Sequence, residues 1–191
     1  MKHLNQKQIK LLLALVTVGI VSRFLPHPPN VTAVAAASLF AGAILNSRIF
    51  AVMLPMVIMY LSDFTINNTL MRGYFPNHEG LVLWMPYMTW VYVGFALTAL
   101  IGFYFLKNRN NAKLAGGAIL ATLVFFLVSN YGMFIEPGRY PQTLSGAALC
   151  YAAALPFLLN SLIGNLIFTF AIFGIYDSVN ERYFKTQTVR A

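Results

Sequence analysis

The chain has 191 residues, of which 59% are hydrophobic and 9% are charged, whereas roughly 25% of residues in an average soluble protein are charged. Its 13 Lys and Arg residues outnumber 5 Asp and Glu residues and give a net charge of +8. The basic residues are scattered over short loops between long apolar segments, which is typical of membrane topology and lipid-headgroup contact rather than nucleic-acid binding. The single cysteine excludes an internal disulfide. The composition therefore predicts one all-α integral membrane domain over residues 1–191, embedded in a lipid bilayer and without a nucleic-acid partner.

Six apolar segments follow one another along the chain, and a helix needs about 20 apolar residues to cross the hydrocarbon core of a bilayer. The first segment follows a basic N-terminus and ends at a turn with three prolines, which stop a helix. Arg23 and His27 separate this segment from the nearest small-residue cleavage pattern, so we interpret it as a retained span and not as a signal peptide. The predicted spans are residues 9–25, 31–45, 49–66, 87–106, 114–135 and 157–176.

The second predicted span carries a small residue at every fourth position, namely Ala33, Ala37 and Ala41. This pattern lets helix backbones approach closely in lipid. We favour tight packing within the chain, and a docking surface for another protein is the alternative.

The last apolar stretch, residues 144–176, would be about 50 Å long as one helix, which is longer than a membrane is thick. Pro156 lies within it and is the natural place for a break. We therefore expect a short outer helix over residues 144–155, followed by the spanning helix over residues 157–176.

The basic residues alternate between loops, ten against three. The ten are Lys2, Lys7, Lys10, Arg48, Lys107, Arg109, Lys113, Arg182, Lys185 and Arg190, and the three are Arg23, Arg72 and Arg139. By the positive-inside rule, both termini and the basic loops lie in the cytoplasm. The predicted topology is six transmembrane helices with the N- and C-termini inside.

Polar residues within or next to the spans concentrate at their outer ends, and polar groups at membrane depth are costly and point to function. The simplest geometry is a polar depression that is open to the outside and closed below, which suits the capture of a ligand. The predicted ligand-binding residues are Asp63, Asn67, Asn130, Tyr131, Arg139, Tyr151 and Asn160, with Trp84 and Trp90 as stacking walls.

Asp63 is the most informative of these residues, because a carboxylate at this depth needs a partner. Asp63 and Asn67 are four residues apart and share one helix face. The candidate partners are Arg23, Arg139 and a cationic ligand. A purely structural ion pair that holds the third span against the first or the last is the competing interpretation.

Metal and catalytic signals are weak in this sequence. Cys150, His27 and His78 are the possible metal ligands, but no spacing typical of a metal site joins them. These three residues leave one option for the substrate, namely a metal-containing molecule such as a corrinoid, whose metal they could approach. We predict no catalytic residue and no resident cofactor.

Several short motifs together resemble a family of membrane proteins. They are Leu-Pro-His-Pro-Pro-Asn-Val-Thr at 25–32, Ser-Asp at 62–63, Ser-Asn-Tyr-Gly at 129–132, Tyr-Pro-Gln-Thr at 140–143, Cys-Tyr at 150–151 and Leu-Pro-Phe at 155–157. This combination resembles an uncharacterised bacterial family of six-helix membrane proteins. That family is similar to the substrate-binding (S) components of energy-coupling-factor (ECF) vitamin transporters.

The resemblance implies a six-helix bundle in the bacterial cytoplasmic (inner) membrane, with a ligand site near the outer face. It implies capture of a small vitamin-like molecule, and it suggests as partners an ECF transmembrane scaffold and ATPase subunits. The scaffold-docking pattern of S components is Ala-xxx-Ala in the first helix, whereas here Val18 follows Ala14. Where the related family often has an acidic residue, this chain has Asn165. The alternative of a carrier that works without a scaffold and ATPase subunits therefore remains.

Two other functions compete with uptake of a vitamin or related micronutrient. In a structural or assembly partner, the polar residues would only hold the helices together. This hypothesis predicts a filled bundle without an outer cavity. A membrane enzyme acting on a lipid or a cofactor would use Asp63 or Cys150 for chemistry.

Overall fold

The computed structural model describes residues 6–75 and 79–190, and this part of the chain is all-helical, without strands. This confirms the all-helical part of the predicted fold class. The six α-helices are α1 (Gln6–Phe24), α2 (Val34–Ile44), α3 (Arg48–Asn68), α4 (Pro86–Phe105), α5 (Asn111–Ile135) and α6 (Leu144–Arg190). A short 3₁₀ helix, Arg72–Tyr74, follows α3.

Four of these helices are long and apolar enough to cross a membrane: α3, α4, α5 and the Leu144–Val179 part of α6. The helix α2 is apolar but has 11 residues, which corresponds to about 16 Å, or half of a hydrocarbon core. These apolar helices indicate a multi-pass membrane protein.

Local sequence explains where several helices begin. Pro86 is the first residue of α4, a position that suits proline because its missing N–H would have no partner there. Asn110 caps α5, since its side-chain oxygen accepts a hydrogen bond of 2.9 Å from the backbone N–H of Lys113. Between α1 and α2, Asn30 adopts a positive φ of 66° directly after the prolines, which turns the chain back into the bundle.

The predicted break at Pro156 is wrong. Instead, α6 is one helix of 47 residues with Pro156 inside it. Proline removes one hydrogen bond, to the carbonyl four residues earlier, but the bonds on either side remain, and proline is tolerated in apolar membrane helices for this reason. The outer helix and the last span are therefore continuous.

The helix α2 is the centre of the bundle, where it contacts α1, α3, α4, α5 and α6. Ala33, Ala37 and Ala41 are all buried within the chain. This supports tight internal packing as the reason for their spacing, because buried side chains offer no surface for another protein.

The helices α2 and α4 approach each other closely. A Cβ atom built on Gly42 would lie 2.0 Å from the Ala99 carbonyl oxygen, and one built on Gly102 would lie 2.1 Å from the Leu39 carbonyl oxygen. Two glycines therefore allow the two backbones to touch, as small residues do at helix interfaces in lipid.

Candidate functional site

A cavity of about 510 Å³ opens at the end of the bundle that carries residues 25–33, 69–75 and 79–85, which we call the cavity end. Its wall includes the C-terminal parts of α1, α3 and α5, the first half of α4 and the middle of α6. The polar side chains that line it are Arg23, His27, Asn30, Thr32, Asp63, Asn67, Tyr87, Thr122, Ser129, Asn130, Ser161 and Asn165.

The cavity exists because α2 is short. Thr32 and Ala35, which flank the start of α2, line the cavity, while the rest of the helix is packed below them. A full-length helix in this central position would occupy the space. Instead, the chain enters through the proline-rich turn and leaves the volume above α2 unfilled.

The ion pair between Arg23 and Asp63 lies in the cavity wall. Arg23 Nη2 is 2.7 Å from Asp63 Oδ1, and Tyr92 donates a hydrogen bond of 2.9 Å to Asp63 Oδ2. Arg23 Nη1 also donates to Ser62 Oγ at 2.5 Å. The carboxylate thus has a cationic partner in α1, as a carboxylate at this depth requires. The structural ion pair that we considered as an alternative is therefore present, and it joins α1 to α3.

A second polar contact closes the same wall. The Asn67 side-chain N–H donates to the Tyr87 hydroxyl oxygen at 3.2 Å, and the Tyr87 hydroxyl donates to Asn67 Oδ1 at 3.3 Å. It ties the end of α3 to the start of α4, one helical turn beyond Asp63.

Aromatic rings line the part of the wall that α4, α5 and α6 form. Phe95, Phe125, Phe126 and Phe157 all contact the cavity. The rings of Phe95 and Phe125 are stacked at a tilt, with 4.6 Å between centroids and 40° between planes. This side offers aromatic faces for packing against a planar ligand.

The inner part of the cavity has a polar network that joins α5 to α6. Asn165 is buried, and its side-chain N–H groups donate to the Ala118 carbonyl at 3.0 Å and to Thr122 Oγ1 at 3.1 Å. Thr169 Oγ1 donates to Asn165 Oδ1 at 3.3 Å. These residues are not among those predicted from the sequence to bind the ligand. The spacing of Ser161, Asn165 and Thr169, four residues apart on one helix face, is the signal that could have found them.

Asn165→Ala is expected to lower the free energy of unfolding by about 1–2 kcal/mol, because three hydrogen bonds within the membrane are lost, each worth roughly 0.6 kcal/mol. Reversible unfolding in detergent measures this. Asn160→Ala is the matched control, since Asn160 is on the same helix but outside this network, and it should change stability by less than about 0.5 kcal/mol. Equal effects of the two variants would contradict the prediction.

Three of the nine predicted ligand-binding residues line the cavity, namely Asp63, Asn67 and Asn130. The Asn130 side-chain N–H donates to the Phe126 carbonyl at 2.8 Å, within its own helix. This leaves its side-chain oxygen as an acceptor at the cavity.

The other six lie outside the cavity lining. Tyr131 packs edge-on against Trp90, with centroids 4.9 Å apart, and Trp84 packs in the same way against Tyr92. Each therefore holds a neighbouring ring instead of reaching the cavity.

The remaining three have contacts of their own. Arg139 pairs with Glu136 at 2.7 Å in the loop before α6. The Tyr151 hydroxyl donates to the Leu127 carbonyl at 2.8 Å. Asn160 is half-buried, on α6. Helix rotation explains these differences, because the sequence places a residue at a depth but not on a side.

The weak metal candidates are not brought together. His27 lines the cavity and its Nδ1 is 2.8 Å from the Pro28 carbonyl, to which it donates. Cys150 is buried away from the cavity, with its sulfur 3.5 Å from the Asn130 carbonyl. His78 lies outside the described residues. In the part of the chain that the structure describes, no group of three or more His, Cys, Asp or Glu side chains is placed to hold a metal ion.

Comparison with known proteins identifies the family to which this chain belongs. The chain belongs to the DUF6580 family. The family model, described as a family of unknown function, matches residues 3–188. No curated protein and no solved structure matches the chain. The match covers the cavity, helices α1 to α5 and α6 up to residue 188, so these features belong to the DUF6580 region of the protein.

Proposed function

We propose that this DUF6580 protein is a membrane-embedded substrate-binding protein that captures a small vitamin-like molecule for uptake. The observation that carries the proposal is the cavity of about 510 Å³ enclosed by a single chain. Small-molecule sites typically measure roughly 300–1,000 Å³, with mostly apolar walls and a few placed polar groups. The resemblance to ECF S components supports the same function.

The chemistry of the walls suggests the kind of ligand. Because Asp63 and Arg23 neutralise each other, the site suits a molecule without net charge. The phenylalanine wall suits a planar ring. Asn130 offers an acceptor oxygen, and the Ser129 and Ser161 hydroxyls donate to their own helices and keep acceptor capacity. The favoured ligand is therefore a neutral ring system with N–H or O–H donors.

The proposed topology has six spans with both termini in the cytoplasm, arranged as an ECF S-component-like bundle in the bacterial inner membrane. Arg48, Lys107 and Arg109 lie at the end of the bundle opposite the cavity, around the rings of Phe103 and Phe173. We call this the basic end. By the positive-inside rule it faces the cytoplasm, so the cavity opens to the outside.

The two competing functions have less support. The hypothesis of an assembly partner predicts a filled bundle, whereas the chain has a cavity. For an enzyme, Cys150 is buried away from the cavity, and Asp63 is held by Arg23 and Tyr92. A carboxylate held by two partners in this way is suited to fixing the positions of the helices rather than to transferring a proton.

Native mass spectrometry, with an absorbance spectrum, on gently purified protein tests the proposal. We expect one bound small molecule per chain, lost on unfolding. Co-purifying ATPase subunits would show that the protein works with an energising module. A ligand-free protein whose thermal stability no member of a vitamin panel raises would contradict the proposal and favour the assembly partner.

Ala154→Phe is expected to weaken ligand binding at least tenfold, because Ala154 lines the cavity and the added ring would fill part of it. Ala153→Phe is the matched control, since Ala153 is the preceding residue and is exposed outside the cavity. Isothermal titration with the ligand found by mass spectrometry measures both variants. Wild-type affinity in Ala154→Phe, with the protein folded, would show that the ligand binds elsewhere.

A further inference from the structure

A second concave surface lies on the outside of the bundle, between α4 and α5. This groove of about 330 Å³ is lined by Leu97, Leu100, Ile101, Tyr104, Phe105, Leu120 and Val124. Both helices are long and apolar enough to cross a membrane, so the groove faces the hydrocarbon core. From Phe105 to Leu97 it runs about 12 Å along α4, from the basic end toward the middle of the bundle.

Two cations stand at the basic end of the groove. The guanidinium of Arg48 lies 5.1 Å from the centroid of the Tyr104 ring, and Tyr104 itself lines the groove. Lys107 Nζ lies 4.1 Å from the Phe103 ring centroid, and the Phe103 and Tyr104 rings are in edge contact at 5.3 Å. The aromatic pair therefore holds Arg48 at a ring that lines the groove and Lys107 at the adjacent ring, one residue away along α4.

These cations are available to an anion. The ion pairs Arg23–Asp63, Arg109–Asp177 and Arg139–Glu136 use neither Arg48 nor Lys107. Both side chains are also exposed. An apolar groove at membrane depth that ends at two exposed cations matches an acyl chain attached to a negatively charged headgroup.

We propose that this groove binds one anionic diacyl phospholipid, with an acyl chain along α4 and α5 and the phosphate between Arg48 and Lys107. Charge complementarity selects the lipid over a second protein chain, because an apolar helix would leave the two cations unpaired. The site is on the other side of α4 from α2 and does not depend on the proposed uptake function.

Native mass spectrometry of the full chain in mild detergent tests this proposal. The protein is titrated with phosphatidylglycerol and, separately, with phosphatidylcholine carrying the same acyl chains. We expect one phosphatidylglycerol to bind about tenfold more tightly, since each basic residue near an anionic surface contributes several-fold. The double variant Arg48→Gln/Lys107→Gln should lose this preference. Lys113→Gln, a third basic residue at the same end but outside the cluster, should keep it.

Leu100→Trp tests the groove itself and should weaken binding of both lipids by filling it. If the double variant fails to fold, Lys107→Gln alone, at an exposed position, should still reduce the preference about threefold. Equal binding of the two lipids by the wild type, or an unchanged preference in a folded variant without the cations, would overturn the proposal. A dimer that Leu100→Trp dissociates would also overturn it, because the groove would then be a contact between copies.

Discussion

Asp63→Ala is expected to lower the free energy of unfolding by about 3 kcal/mol, because it leaves the Arg23 guanidinium without its carboxylate in the cavity wall. Removing one partner of a buried ion pair typically costs about 3–5 kcal/mol. We expect the lower end of this range, since the Arg23 side chain is 18% exposed while that of Asp63 is 5% exposed. The variant should also lose ligand binding, and so should Asn130→Ala, because Asn130 lines the cavity. Reversible denaturation in detergent measures the stability.

The matched control is Arg139→Gln, which breaks the ion pair with Glu136 in a loop where the two side chains are 49% and 28% exposed. Such pairs contribute at most about 1 kcal/mol. The double variant Arg23→Met/Asp63→Leu should recover most of the stability, because apolar side chains replace a buried ion pair at little or no cost. A loss in Asp63→Ala as small as that in the control would show that the cavity solvates Arg23 and that the ion pair does not hold α1 in place.

Gly102→Ala is expected to destabilise the protein by about 3 kcal/mol or more, at or above the upper limit of ordinary overpacking. The added methyl would lie 2.1 Å from the Leu39 carbonyl oxygen. This oxygen belongs to the backbone of α2, so it cannot move aside as a flexible side chain could. The helices α2 and α4 must then separate. Because Ala35 of α2 lines the cavity, ligand binding should be lost together with stability. Gly42→Ala should behave in the same way, since its Cβ would lie 2.0 Å from the Ala99 carbonyl oxygen.

Gly174→Ala is the control for these two variants. It is also a glycine inside an apolar helix, but a Cβ there would have no neighbour within 4 Å. Alanine is favoured over glycine in a helix by about 1 kcal/mol, so this variant should be neutral or stabilising. Thermal unfolding of the three variants side by side checks the opposite signs. A Gly102→Ala protein as stable as Gly174→Ala would show that α2 and α4 do not meet at this point.

Several features of the fold follow from local sequence. The helical class, the start of α4 at Pro86 and the stop after α1 depend on apolar runs and on proline chemistry, which act within a few residues. The prediction of a break at Pro156 was wrong because the loss of one backbone hydrogen bond at a proline does not by itself end a helix. In an apolar environment the remaining bonds of α6 have no competing water, so the helix continues.

The sequence by itself determined where along each helix the polar residues lie and that Asp63 needs a partner. Only the tertiary structure decided that the partner is Arg23 and not Arg139, and that Asn130 reaches the cavity while Tyr131, next to it, packs on Trp90. The physical reason is that depth depends on position along a helix, which spacing specifies. The side to which a residue points depends on how each helix is rotated against its neighbours. That rotation is selected by close packing across the whole bundle, with α2 at its centre and its glycine contact to α4.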